Sequence, residues 1–202
     1  MKNLFFIALF ICFLNSCSKD DGSETPADSL PLITTTGANT AGCLIDGKVL
    51  IPKNGSQAIG GTALHGLKVG GGINFNAPIV GDDYFYVRIQ NLKDTNGDDI
   101  YIHFSNMTQG MGACTIQQSN GDYFIASPQN NHVVLKRKID SNNVKTFISG
   151  ANAGTVTVTR FDYSNGIYSG VFSSTLYNKD ELIEKIQISD GRFDIKIATL
   201  NI

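Results

Sequence analysis

The residues best suited to meeting a ligand fall on one predicted hairpin. Tyr84, Tyr86 and Arg88 alternate along one β-prone run, and Tyr101 and His103 alternate along the next. Side chains two apart on a strand share a face, so these five, with Gln90, stand together. Flat rings with polar tips beside a guanidinium suit stacking on a sugar ring or anchoring another protein's surface. A binding role requires that they be partly exposed. The competing reading is that other strands of the same domain cover this face and satisfy its hydroxyls.

Other constellations carry less chemistry. Asp94, Asn96 and Asp98 alternate as calcium ligands would, but an EF-hand loop needs Gly at its sixth position and Glu at its twelfth, where this chain has Asp99 and Ser105. A hairpin turn explains the same residues, and Asp82-Asp83 reads as a solvated turn. Gly66-Leu67-Lys68-Val69 lacks the Gly-Lys-Ser/Thr of a phosphate loop. His65, His103 and His132 show no zinc-ligand spacing, and no Gly-x-Ser-x-Gly elbow occurs. These readings assign no metal, no cofactor and no catalytic residue. Paired glycosidase carboxylates stay open, because their separation is a property of the fold.

The elements that must position such residues begin behind an export signal. Lys2 precedes an unbroken apolar run from Leu4 to Leu14, about 16 Å of helix and roughly half a bilayer core. It reads as a signal-peptide core. Leu14-Asn15-Ser16-Cys17 resembles the lipobox of bacterial lipoproteins, which makes 1–16 the signal peptide and Cys17 the lipidated residue; an ordinary secretory signal is the alternative. Residues 17–33 are polar, acidic and interrupted by Pro26 and Pro31, the composition of a disordered tether. Lys19-Asp20-Asp21 resembles the surface-export signal of Bacteroidetes-type lipoproteins, and Asp28-Ser29-Leu30 resembles an O-glycosylation acceptor on Ser29 in such bacteria.

Residues 34–202 form the remaining unit. The whole chain has 202 residues, 42% apolar and 17% charged, enough for one domain with a core and too apolar for disorder. Beyond the tether it holds fourteen basic and fourteen acidic residues. That balance argues against nucleic acid and against a polybasic membrane patch.

The domain is a succession of at least eight short β-prone runs with no βαβ alternation, which predicts a single antiparallel β-sandwich or barrel. Three turns set the expected pairing. An Asn96-Gly97 turn places Ile89 opposite Phe104, with Phe85, Val87, Ile89, Ile102 and Phe104 on one face. An Asp190-Gly191 turn places Ile188 opposite Phe193 and Ile186 opposite Ile195. A three-residue Ser164-Asn165-Gly166 loop with Gly166 in a bulge places Val158 opposite Phe172. The Gly-rich stretch Asn54–Gly72 reads as loop around one weak strand, and Asn178–Glu184 is the only short helical candidate. Cys43 and Cys114 remain once Cys12 leaves with the signal and Cys17 takes lipid; an exported protein permits a disulfide between them, and two separately buried thiols are the alternative.

Thr40-Ala41-Gly42-Cys43-Leu44-Ile45-Asp46-Gly47-Lys48, the Gly154–Asp162 strand with Ile167-Tyr168-Ser169-Gly170-Val171-Phe172, and the ending Ile188-Ser189-Asp190-Gly191-Arg192-Phe193-Asp194-Ile195 resemble an uncharacterised family of Bacteroidetes lipoproteins. The resemblance implies an exported all-β domain and supplies no catalytic residues. The resulting expectation is an outer-membrane lipoprotein, facing the periplasm or the cell surface, that binds a glycan or a protein without catalysis. A polysaccharide hydrolase and a structural subunit of an outer-membrane complex are the rivals. Facing carboxylates in a pocket favour the first rival, and an exposed unpaired edge strand the second.

Overall fold

The computed structural model describes residues 26–56, 61, 63–72, 75, 83–106, 110–123 and 128–201. The signal peptide, residues 17–25 (Cys17 among them) and Asp82 lie outside the described residues. Residues 26–33, expected as the end of a disordered tether, are ordered, with Pro26–Ser29 in a short 3-10 helix against β2 and Leu30 buried. Ten strands follow one another: β1 (Thr40–Ile45), β2 (Lys48–Leu50), β3 (Leu67–Gly71), β4 (Phe85–Gln90), β5 (Asp98–Phe104), β6 (Gly112–Ile116), β7 (His132–Lys138), β8 (Val144–Asp162), β9 (Ile167–Asn178) and β10 (Lys185–Lys196). They form one antiparallel sheet in the order β2-β1-β10-β9-β8-β7-β5-β4-β3, with β6 and β7 sharing one flank of the long β8. The sheet curls into a half-barrel, so the all-β expectation takes the form of a single sheet folded around its own core. The weak strand expected in the Gly-rich stretch is β3.

Curling gives every strand a concave, apolar side. Ile45, Ile89, Ile100, Ile102, Phe104, Val133, Leu135, Phe147, Val156, Phe172, Leu176, Ile186, Ile188, Phe193 and Ile195 are buried in one cluster there. At one end the two sheet edges are tied together: Lys53, just past β2, bridges Asn91 at the end of β4, donating its N–H to the Gln90 carbonyl (3.0 Å) and accepting from the Leu92 N–H (3.0 Å). Gly66 permits this closure, since a Cβ there would stand 2.5 Å from the Lys53 carbonyl oxygen and 2.6 Å from that of Gln90.

The faces follow the expected alternation; the turns do not. In β4–β5, Phe104 lies opposite Phe85 and Ile89 opposite Ile100. The register is displaced by four residues, an even number, so the same side chains stay inside. The displacement arises because Asn91 is taken by Lys53, and the chain then turns twice. Asn91 Oδ1 accepts the Lys93 N–H (3.1 Å) and Asp94 Oδ1 the Asn96 N–H (3.0 Å).

Asp190-Gly191 is not a turn. It is a bulge within continuous β10, where Ile188 pairs with Ser174 and Gly191 with Phe172 while Asp190 takes a φ of 51°. One extra residue reverses side-chain parity just as a two-residue turn would, so burial of Ile186, Ile188, Phe193 and Ile195 fits both arrangements. The β8–β9 loop holds four residues, Tyr163–Gly166, closed by Asp162 Oδ1 accepting the Asn165 N–H (3.0 Å), with Gly166 at a φ of 62°. A bulge between Val158 and Arg160 then shifts the register by one more residue, so that Val158 faces Gly170 and Phe172 faces Val156. A Cβ on Gly170 would stand 2.6 Å from the Phe193 ring. Residues 179–184 are a closed loop between β9 and β10 and not a helix, with the Asn178 N–H donating to the Glu184 carbonyl (2.9 Å).

Cys43 and Cys114 are free thiols. Cys43 is on β1 and Cys114 on β6, separated across the sheet by β10, β9 and β8. Four strand spacings amount to about 19 Å around the curve, whereas a disulfide needs Cα atoms within about 7 Å.

Candidate functional site

The convex side of β4, β5 and β7 carries the aromatic residues expected from the sequence. Register sets Tyr86, His103 and His132 in one row and Arg88, Tyr101 and Val134 in the next. The rings stack on one another: Tyr84 on His103 (5.4 Å between centroids), His103 on His132 (4.5 Å), Tyr86 on Tyr101 (4.8 Å) and Tyr101 on Tyr123 (4.8 Å). Tyr123 arrives from the excursion between β6 and β7. Lys136 Nζ sits 4.1 Å from its ring centre.

This arrangement corrects the exposed-platform expectation. Tyr101 and His103 are 0% and 1% exposed, so neither ring can meet a ligand. Tyr84, Tyr86 and Arg88 are half-buried. Arg88 is engaged besides, donating Nε to Asp99 Oδ1 (2.9 Å) and Nη2 to Asp99 Oδ2 (2.6 Å). Gly70 on β3 leaves the space that the Tyr86 ring fills, its missing Cβ lying 2.6 Å from the Tyr86 hydroxyl.

The enclosed rings are poorly satisfied. Among the described residues, the Tyr101 hydroxyl, both His103 ring nitrogens and His132 Nε2 have no hydrogen-bond partner. His132 Nδ1 lies 2.9 Å from the Asn130 carbonyl oxygen, which makes it the protonated nitrogen. Burial, and secondarily His132, hold the His103 pKa down at about 3. Burial also raises the pKa values of Tyr101 and Tyr123.

A second constellation lies at the open end where the Asp46-Gly47 turn and the β4–β5, β7–β8 and β9–β10 loops gather. Pairing continues the concave rows past the apolar layer of Ile100, Leu135 and Phe147 into a charged one, in which Asp98 stands opposite Arg137 and Arg137 opposite Lys145. Arg137 grips Asp98 with both arms of its guanidinium, Nε to Oδ1 at 2.8 Å and Nη2 to Oδ2 at 2.9 Å. Lys145 Nζ donates to Glu184 (2.9 Å), which also accepts from Asn178 Nδ2. The bonds to Asp98 raise the Arg137 pKa against the burial that lowers it, and the charges of Asp46 and Glu184 add to the rise.

Asp98 and Arg137 line a cavity of about 400 Å³ together with Asp46, Lys48, Asp94 and Asn96. Cys43 lies beneath, where burial and then the Asp98 charge push its thiol up to about 12; it is protonated at neutral pH and no nucleophile. Among the described residues no group of three His, Cys, Asp or Glu side chains is placed to hold a metal. Ser29, the expected glycosylation acceptor, is exposed.

Sequence reasoning did not single out Tyr123, His132, Arg137, Lys145 or Glu184 as members of either constellation. The charged row had a usable signal. Extending the parity of Ile100 and Ile102 back to Asp98, of Leu135 forward to Arg137 and of Phe147 back to Lys145 puts all three inside the half-barrel. No family model, curated protein or solved structure matches the chain.

Proposed function

We propose that the protein is a lipid-anchored, non-catalytic binding module that takes a glycan at the open end of its half-barrel. The carrying observation is the cavity in which the Arg137–Asp98 fork forms one wall and Asp46, Asp94 and Asn96 present further planar polar groups. Carboxylates, amides and a guanidinium held in fixed planes suit the paired hydroxyls of a sugar, and the mouth of a β-barrel is a common place for such a site. Asp98 is committed to Arg137, and Asp94 spends an oxygen on its own turn. That commitment favours binding over acid–base hydrolysis.

The test is a glycan screen with the purified protein, repeated with Asn96→Ala and Lys48→Ala, whose side chains are exposed. Each is expected to weaken the best ligand by about 5- to 150-fold, the range of a 1–3 kcal/mol contact, with melting unchanged. Affinity equal to wild type in both would remove the ligand from this cavity. The anchor is tested separately. Fatty-acid label should enter the wild type and be absent from Cys17→Ala, which should accumulate uncleaved or soluble; label persisting in that variant ends the lipoprotein reading.

A further inference from the structure

We propose that the open end of the half-barrel is a docking surface for the lipid bilayer that carries the chain, with aliphatic side chains at its loop tips entering the leaflet. The proposal rests on anchoring at Cys17. Among the described residues, nine large apolar side chains stand exposed, and six of them belong to this end: Val49 beside the Asp46-Gly47 turn, Leu64 next to Gly55 near Leu92, Ile139 and Val144 flanking the β7–β8 turn, and Leu182 and Ile183 in the β9–β10 loop. Leu182 and Ile183, adjacent in sequence, are 66% and 84% exposed. Of the remaining three described ones, Met111 lies at the opposite end, and Leu32 and Ile33 lie in the segment leading to β1. Single exposed aliphatics are ordinary on a soluble surface; their concentration at one end marks an interaction site.

The position of the anchor says what that end meets. Pro26–Ser29 packs against β2, the short strand leaving the Asp46-Gly47 turn. Eight residues separate Pro26 from Cys17, which fully extended span about 30 Å. A lipid on Cys17 therefore keeps this end within one bilayer thickness of the membrane.

Charge neither assists nor opposes the approach. The segments 46–48, 93–98, 137–145 and 179–185 together carry seven basic and seven acidic residues. Entry is then governed by apolar area and is insensitive to lipid charge. Docking in this way turns the cavity toward the headgroup layer, so that the glycan it meets there is one carried on a lipid.

The chain has no Trp, so a single introduced indole reports depth without background. Mature lipidated Ile183→Trp and Met111→Trp proteins are placed on vesicles of phosphatidylethanolamine and phosphatidylglycerol with brominated acyl chains. Flotation reports the anchor, and quenching reports docking. Ile183→Trp is expected to shift to the blue and lose about half of its emission, as for a side chain about 5–10 Å into the interface, while Met111→Trp emits as in water. Water-like emission from both on floated vesicles overturns docking and leaves anchoring intact. Protein that does not float overturns the anchoring beneath it. Shielding of Ile183→Trp that appears without lipid and rises with protein concentration assigns the end to a second copy, and the proposal fails.

Discussion

Asp194→Ala is expected to destabilise the domain by about 3–5 kcal/mol, the cost of removing one member of a buried, charge-assisted network. Asp194 is 1% exposed on the convex side of β10. Its carboxylate accepts from the Thr34 hydroxyl (2.6 Å), the Thr36, Gly37 and Ala38 amides (3.0, 2.8 and 3.1 Å) and the Ser169 hydroxyl (2.7 Å). The segment Thr34–Ala38 ahead of β1 is thereby wrapped around one anion, and Gly37 makes the wrap at a φ of 78°. Alanine would leave three amides and the Thr34, Thr36 and Ser169 hydroxyls without this acceptor and release this segment from the sheet. Urea unfolding of the wild type and variant measures the loss; a difference below about 1 kcal/mol would mean that the segment contributes little to the fold.

The same carboxylate carries a pH dependence of definite sign. Burial alone would raise its pKa, yet the hydroxyls of Thr34 and Ser169 and the amides of Ala38 and Gly37 bring it from 3.8 to about 2. A folded-state pKa below the unfolded one means that the ionised group stabilises the fold. The contribution is complete above the unfolded value and disappears as pH falls through the folded one. Acid loss between about pH 4 and pH 2 should accordingly be smaller in Asp194→Ala than in wild type.

What could be read from the chain divides along a physical line. Alternation is a local property of each strand, so the inward sets on β4, β5 and β10 were legible from residue type alone. Register depends on which distant segment claims the strand's end. Nothing near Asn96-Gly97 announces that Lys53 will take Asn91, nor does Asp190-Gly191 say whether its φ > 0 residue will end a strand or merely kink it. The convex face was misjudged for a related reason. A Tyr, His or Arg there reads as exposed until the excursion that brings Tyr123 over it is known, and that excursion has no periodic signal. The charged row at the mouth, by contrast, follows from parity once the apolar rows are accepted.

The enclosed histidine predicts a second acid transition, at higher pH than that of Asp194. His103 is buried against His132, Tyr84 and Tyr101, with Tyr86 beside it on β4 and the Arg88–Asp99 pair one row farther along. None of these groups offers a hydrogen bond to either ring nitrogen, so protonation would place a charge among rings with no acceptor. Burial and the His132 neighbour lower its pKa from 6.5 to about 3. The unfolded chain therefore binds the proton first. The stability that neutral His103 provides is complete above about pH 6.5 and is lost as pH falls toward 3. By pH 4 the wild type should have lost about 3 kcal/mol through this group, each pKa unit being about 1.4 kcal/mol. His103→Phe keeps a flat ring in the stack and removes the titration, so its unfolding free energy should decline less between pH 7 and pH 4, and the two proteins should differ most at the acid end of that range. Equilibrium unfolding at a series of pH values measures both curves. Parallel curves would show that the imidazole reaches water or finds a partner when charged, and the stacked pair would then be packing without proton linkage.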